Sequence, residues 1–309
     1  MRSHDLTRSA ALASISVALL LVALKAWAAW TTGSTAMLGS LADTTLDLIA
    51  SVATLAGVWV AAMPDDRQHR FGHGKAEALA AMFQVVLISI SALSLAFHSV
   101  EQFLAGARTE AAGEGIGVSL VAILATLALL AWQRHVIQKT GSLAITTDHV
   151  HYKSDLFLNL AVIVALALDQ YAGIEGADPL FGLGIAIWLG WSAWGASQQA
   201  IDQLMDKEWP EEKRRRFLEV MARHPELRGV HDLRTRTSGN RDFVQFHVWV
   251  DGNLSVKEAH RVMDEIEAKV MSEFPDVELL IHPDPEGHVD TGLAAPNVLP
   301  DVTSGDSKG

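Results

Sequence analysis

The chain has 309 residues, of which 50% are apolar and only 19% charged, and its mean hydropathy is +0.21; this is too apolar for an ordinary soluble enzyme and puts a membrane protein first. A formal charge of −12 argues against a phosphate-backbone partner, so no nucleic acid is expected as a ligand. Without cysteine there is no disulfide, thiolate ligand or cysteine nucleophile, and any metal must be held by His, Asp and Glu, which disfavours the soft-ligand metals.

The apolar residues concentrate between 10 and 204, whereas 206–290 has the charge density of a soluble domain. The expected organisation is a transmembrane domain over 1–205, a metal-binding domain over 206–288 and a disordered Gly, Ser, Pro and Asp-rich tail over 289–309. A bilayer core of about 30 Å needs roughly 20 helical residues. Six windows meet that need, near 10–30, 36–62, 77–104, 116–138, 143–170 and 179–204. The first has no small-residue cleavage site behind it and reads as a true span. Six spans put both termini on one side. Arg2, Arg8, Arg67, Arg70, Lys75, Arg134 and Lys139 fall in the N-terminal segment and the even-numbered loops, against Arg108 alone in the others, so that side is cytoplasmic.

A charged side chain at the centre of a span costs about 2.5–3.5 kcal/mol even on a lenient scale. The second window nevertheless carries Asp43 and Asp47, and the fifth carries His151 and Asp155. Both pairs are spaced i, i+4, which stacks each on one helix face at a depth where all four can meet near mid-membrane. Three carboxylates and one imidazole form a complete tetrahedral set, and the nitrogen suits zinc better than magnesium or calcium. The alternative for any single acid is a protonated, hydrogen-bonded core residue. Lys25 beside Trp27 and Trp30 reads as a snorkelling side chain, Lys153 as snorkelling or paired elsewhere, and His98 and His135 as interfacial.

The loop after the second window holds Asp66, His69 and His73 within eight residues, around Gly72 and Gly74. This set either clamps a cation or is simply a solvated bend. Beyond Asp206, Pro210 with Glu211 and Glu212 opens a helix to about Arg223. Strands are expected over 229–237 and 242–250, joined by Ser238-Gly239-Asn240, with Val244, Phe246, Val248 and Val250 facing a core and His247 opposite. Ser255 and Glu258 make a capping box for a second helix, and a third strand runs from Val277 to His282. The expected fold is thus an all-α six-helix membrane bundle with a C-terminal α+β domain of order αββαβ, its sheet antiparallel and covered by two helices. His231, His247, His260, His282 and Asp284 are potential ligands there, the alternative being a merely polar sheet face.

Several runs are then recognisable together: Ser40-Leu41-Ala42-Asp43-Thr44-Thr45-Leu46-Asp47, Arg70-Phe71-Gly72-His73-Gly74-Lys75-Ala76-Glu77, His151-Tyr152-Lys153-Ser154-Asp155, Gly229-Val230-His231-Asp232-Leu233-Arg234-Thr235-Arg236 and Ile281-His282-Pro283-Asp284-Pro285. Over about residues 8–286 the chain resembles the cation diffusion facilitator family, specifically its bacterial zinc and ferrous-iron efflux antiporters. The resemblance implies that Asp43, Asp47, His151 and Asp155 form the transport site and that Asp66, His69 and His73 bind metal in the loop. It also implies that His231, His247, His260, His282 and Asp284 form a binuclear cytoplasmic site, in a homodimer of the inner membrane whose soluble domains resemble small metallochaperones. The loop departs in reading Arg67-Gln68 between its ligands, and His260 is left as a ligand to one ion or a bridge between two.

Metal binding needs deprotonated ligands, so loading zinc expels protons and reprotonation expels zinc. Proton antiport by alternating access follows from a shared site, with zinc as substrate and also as a structural or regulatory ion; iron, manganese or cadmium are the alternative cargoes. No nucleotide is required, because the chain lacks a phosphate-binding Gly-rich Lys-Ser/Thr loop. An intramembrane metallohydrolase would also use His and Asp ligands, but there is no His-Glu-x-x-His helix or nucleophile elbow, so no enzyme is expected. A membrane-anchored metal sensor would not retain such costly acids in its anchor.

Overall fold

The computed structural model describes residues 3–32, 35–105, 116–168, 177–223, 229–239 and 241–288. Most of the loops expected over 106–117 and 173–178, and the expected disordered tail, lie outside these residues. Two compact units emerge, residues 1–202 and 203–309.

The first unit is built from six long helices: α1 (Ser3–Thr32), α2 (Thr35–Ala61), α3 (Ala76–Ala105), α4 (Ile116–Thr140), α5 (Leu143–Ala167) and α6 (Ala177–Leu204). Among the described residues, five of them, all except α5, are long and apolar enough to cross a membrane. α5 is as long as α4 but carries Thr146, Thr147, Asp148, His149, His151, Lys153 and Asp155 in its first half. Much of the apolar surface of this unit is exposed, including Leu93, Phe97, Ile187 and Trp191; a lipid solvent accounts for that pattern where water would not. The packed interior is made largely of small residues. Ala10 and Ala11 of α1, Ala80 of α3 and Ala144 of α5 gather with Val58 and Val136 in one cluster. A side chain at Gly57 would collide with the Ala80 methyl, so this glycine sets the closest approach of α2 to α3. α6 packs on α3 through Leu189, Ala193 and Ala196 against Val85, Ile88 and Ala92.

Gly141, at φ +63°, takes the left-handed position that ends α4, and its amide donates to Ile137 O. Ser142 then caps α5 and donates to the buried Glu77 carboxylate of α3 at 2.7 Å. The start of α5 is thereby tied to the start of α3.

The second unit contains α7 (Glu211–Met221), β1 (Gly229–Ser238), β2 (Arg241–Val250), α8 (Val256–Glu273) and β3 (Val277–Pro285). Gly239, at φ +62°, turns the β1–β2 hairpin. The Ser255–Glu258 capping box is formed at the start of α8. Val244, Phe246 and Val248 of β2 pack against Phe217 and Met221 of α7 and Val262, Ile266 and Val270 of α8. One expectation is corrected: the sheet, of order β1-β2-β3, is mixed rather than antiparallel, because β2 and β3 run parallel. The cause is α8, a crossover that returns the chain to the same end of the sheet, as a parallel neighbour requires. β3 carries Pro283 and Pro285 and is an outer strand.

Candidate metal centres

Among the described residues, three clusters of His and Asp side-chain atoms form, each within 4.8 Å: Asp47, His151 and Asp155; Asp66, His69 and His73; and His231, His247 and Asp284.

In the first, α2 and α5 face each other and the i, i+4 spacing of α5 places both its ligands toward α2. His151 Nε2 lies 3.0 Å from Asp47 Oδ1 and 3.8 Å from Asp155 Oδ2. The imidazole is buried and the two carboxylates are half-buried. Asp43, expected as the fourth ligand, stands one turn before Asp47 on α2, exposed and outside the cluster. Lys25 departs from the snorkelling expectation: Nζ donates to Thr44 Oγ1 at 2.6 Å and to Ser40 O at 3.4 Å, so α1 is fastened to α2 beside the acid pair. Lys153 instead lies over the Phe157 and Trp188 rings at 5.5 and 5.6 Å.

The loop cluster is organised by Asp66, whose Oδ1 accepts from the amides of Gln68 and His69 at 2.8 and 2.6 Å. These two amides hold its carboxyl below the usual carboxylate range. His69 Nδ1 lies 3.3 Å and His73 Nε2 3.5 Å from the same carboxylate. His73 Nδ1 is buried without a hydrogen-bond partner, while the ring's Nε2 is the nitrogen that faces Asp66.

In the C-terminal domain the strand register makes the site. His231 pairs with His247 across β1–β2, and His247 pairs with His282 across β2–β3, so three imidazoles form one row. Asp284 sits two residues along β3 on the same face. Its Oδ2 lies 2.9 Å from His247 Nδ1 and 3.3 Å from His231 Nε2, while Oδ1 lies 3.3 Å from His282 Nε2. His231 is only 3% exposed, and neither of its ring nitrogens makes a well-formed hydrogen bond. Burial pushes its pKa down, against the smaller opposing pull of Asp284. The His231 ring is thus buried, faces the Asp284 carboxylate and carries no well-formed hydrogen bond of its own. His282 adjoins the cluster, stacked on His247 at 4.5 Å and 60% exposed. His260 does not join it: on α8 it is 77% exposed and 3.9 Å from Asp264, although it lines a groove of about 930 Å³ together with Asp284.

Sequence reasoning missed Asp232. A bulge between His231 and Arg234 holds it at φ +46° and brings its carboxylate 3.8 Å from His247 Nε2. Local composition carries no signal for such a bulge. Sequence reasoning also passed over Asp148, Gln84 and Gln133, which are buried in the helical unit.

Comparison with known proteins accords with this architecture. Residues 11–205 match the cation efflux transmembrane domain, and residues 209–286 match the cation efflux protein cytoplasmic domain. The chain is 41% identical over 286 residues to the cation-efflux pump FieF of Cronobacter sakazakii, covering 92% of this chain and 95% of that one. It is 43% identical over 273 residues to FieF of Shewanella oneidensis, covering 88% and 92%. The metal-bound C-terminal domain of the CzcD transporter from Thermotoga maritima is 28% identical, with 26% of this chain and all of that chain covered at a TM-score of 0.25. Matched along both of its units, the chain belongs to the cation diffusion facilitator family.

Proposed function

We propose that this cation-efflux protein exchanges zinc for protons across the bacterial inner membrane, with Asp47, His151 and Asp155, joined by Asp43, as the transport site. Divalent cation efflux itself follows from the family. One observation carries the finer reading. His151 Nε2 and Asp47 Oδ1 are hydrogen-bonded at 3.0 Å, so one proton sits between the two atoms that would face a cation. Loading a metal there displaces that proton, and returning the proton displaces the metal. The imidazole nitrogen tilts an otherwise all-oxygen set toward zinc over harder cations, and the relatives named FieF leave iron as the second cargo. Both termini are cytoplasmic in this reading, the chain works as a homodimer, and no bond of the cargo is made or broken.

In the C-terminal domain His231, His247, His282 and Asp284 would hold resident zinc, with Asp284 able to face two ions through its two oxygens and His260 reaching the second. Bound metal would supply a rigid cross-link there between strands and, in a homodimer, between domains. The loop cluster is read as a third cation site at the cytoplasmic mouth.

The test is zinc flux into liposomes containing the purified full chain, with and without an imposed pH gradient. Flux driven by the gradient is expected. Zinc movement that ignores the gradient overturns antiport and spares the transporter, whereas cleavage of a peptide with no metal movement overturns transport itself.

A further inference from the structure

One turn from the His151–Asp47 pair, toward the α4–α5 turn, lies a second polar layer that the transport reading does not use. Asp148 of α5 is 0% exposed. Its Oδ2 accepts from Ser14 Oγ of α1 at 2.6 Å and from Gln133 Nε2 of α4 at 2.8 Å, and its Oδ1 accepts from Gln84 Nε2 of α3 at 2.8 Å. Three neutral donors from three helices therefore converge on one carboxylate. Gln133 also donates to Ser14 Oγ at 3.1 Å, and its Oε1 faces His149 Nδ1 at 3.2 Å. Gln84 keeps its nitrogen on Asp148 although this leaves its own buried Oε1 without a partner, so the acid dictates the orientation of the amide. α2 joins through Tyr152, whose hydroxyl lies 2.9 Å from Ser51 Oγ and donates to Ser14 O at 3.1 Å. Ser51 is four residues beyond Asp47 on α2 and Tyr152 adjoins His151 on α5, so this contact lies beside the Asp47–His151 pair.

We propose that Asp148 is a positioning residue for the transport site: by gathering donors from α1, α3 and α4 it fixes the rotation of α5, and so points His151 and Asp155 at Asp47. The inference rests on the transport-site reading above. At about 100° per residue, His151 and Asp155 lie within about 60° and 20° of Asp148 around the helix. With ligand atoms roughly 6 Å from the helix axis, a 10° turn of α5 moves them by about 1 Å, against a tolerance of about 0.2 Å in metal-ligand distance. Apolar burial is non-directional, so by itself it discriminates weakly between nearby rotations of a helix. Directional hydrogen bonds from three helices discriminate more closely.

The experiment compares zinc flux by the full chain in liposomes for the wild type, Asp148→Asn, Gln133→Glu and the double variant Asp148→Asn/Gln133→Glu. Asp148→Asn introduces an amide that must face incoming donors, and KM for zinc is expected to rise roughly 10- to 100-fold, the usual effect of removing a group that orients a ligand. The double variant moves the carboxylate to α4, where it accepts from the new amide on α5 and from Ser14, and most of the loss is expected to return. Gln84→Leu removes one donor together with its unpaired oxygen, folds without the central acid being touched, and is expected to give a smaller rise in KM. An unchanged KM in Asp148→Asn, or a folded double variant that recovers nothing, overturns the proposal. If Asp148→Asn does not fold, an unchanged KM in Gln84→Leu overturns it. Flux retained by Asp47→Ala and Asp155→Ala would instead remove the transport-site reading beneath it.

Discussion

The helical unit and the C-terminal domain both collect His and Asp, but by opposite means. In the helical unit the candidate ligands come from two helices, and the distance between them depends on how those helices are turned against each other. In the sheet, His231, His247 and His282 stand in one row because backbone hydrogen bonds hold three strands in register. Strands about 4.8 Å apart fix their side chains with little freedom, whereas the facing of two helices is set by packing between them and by cross-helix hydrogen bonds such as those to Asp148. A site that opens alternately to two sides, as proposed for the helical unit, suits the first kind of scaffold, and one that retains its ion, as proposed for the C-terminal domain, suits the second.

The sharpest way to break this contrast is to remove a helix-borne ligand. Asp47→Ala and Asp155→Ala are each expected to reduce flux to background while the protein still elutes as the wild type does in size exclusion; retained flux in both would show that the mobile site is elsewhere. His151→Asp is expected to raise manganese or ferrous-iron transport relative to zinc, since four carboxylates make a harder site. Competitive flux between pH 6 and 8 checks it, and an identical metal ratio and pH profile would exclude His151 as a ligand. In the sheet, His231→Ala or His282→Ala should weaken zinc retention and lower flux severalfold without abolishing it. Flux abolished as completely as by Asp155→Ala would erase the distinction between the two sites.

Acid provides a gentler probe. Burial keeps the folded-state pKa of His231 below the ordinary value near 6.5. As pH falls through that ordinary value, the unfolded chain takes a proton that the folded domain refuses, so this group's contribution to stability is present above it and lost on acidification. Zinc held by His231 should therefore resist protons to a lower pH than an exposed imidazole would allow. Metal retention followed from pH 7.5 to 5 tests this, and release centred at or above 6.5 would contradict it. The smallest effect is expected from Ser255→Ala, which removes the capping box of α8. It should cost about 1 kcal/mol of domain stability and leave flux unchanged, as read by denaturant unfolding and transport together.

The legibility of the chain follows the same division. Asp43, Asp47, His151 and Asp155 stand out in the sequence because ionisable pairs spaced i, i+4 in apolar windows are too costly to serve packing alone. Periodicity also places His247 opposite the Val244, Phe246 and Val248 face, and capping chemistry locates the start of α8. What stays hidden depends on relations between elements. Strand direction leaves no mark in the alternation of β3, and only the helix-length connection through α8 could reveal the parallel pairing. Asp148 escapes a search for ionisable pairs, because its partners are Ser14, Gln84 and Gln133 on other helices. Its position does carry a signal, since residues 148, 151 and 155 continue one helical stripe. Asp43 lies outside the cluster for a related reason: sequence depth sets how far along a helix an acid sits, and leaves open which way the helix is turned.

One detail of β3 bears on how such domains avoid pairing edge to edge. The Glu286 amide donates to Val250 O across the parallel pair, so along this strand the even-numbered amides face β2 and the odd-numbered ones face outward. Pro283 and Pro285 occupy two of those outward positions. The open border of the sheet thus lacks donors beside the metal ligands, and a stray chain cannot dock there as a further strand. Unwanted polymerisation along that border is blocked by covalent structure, and any orderly association of two domains is left to the faces of the sheet and its helices.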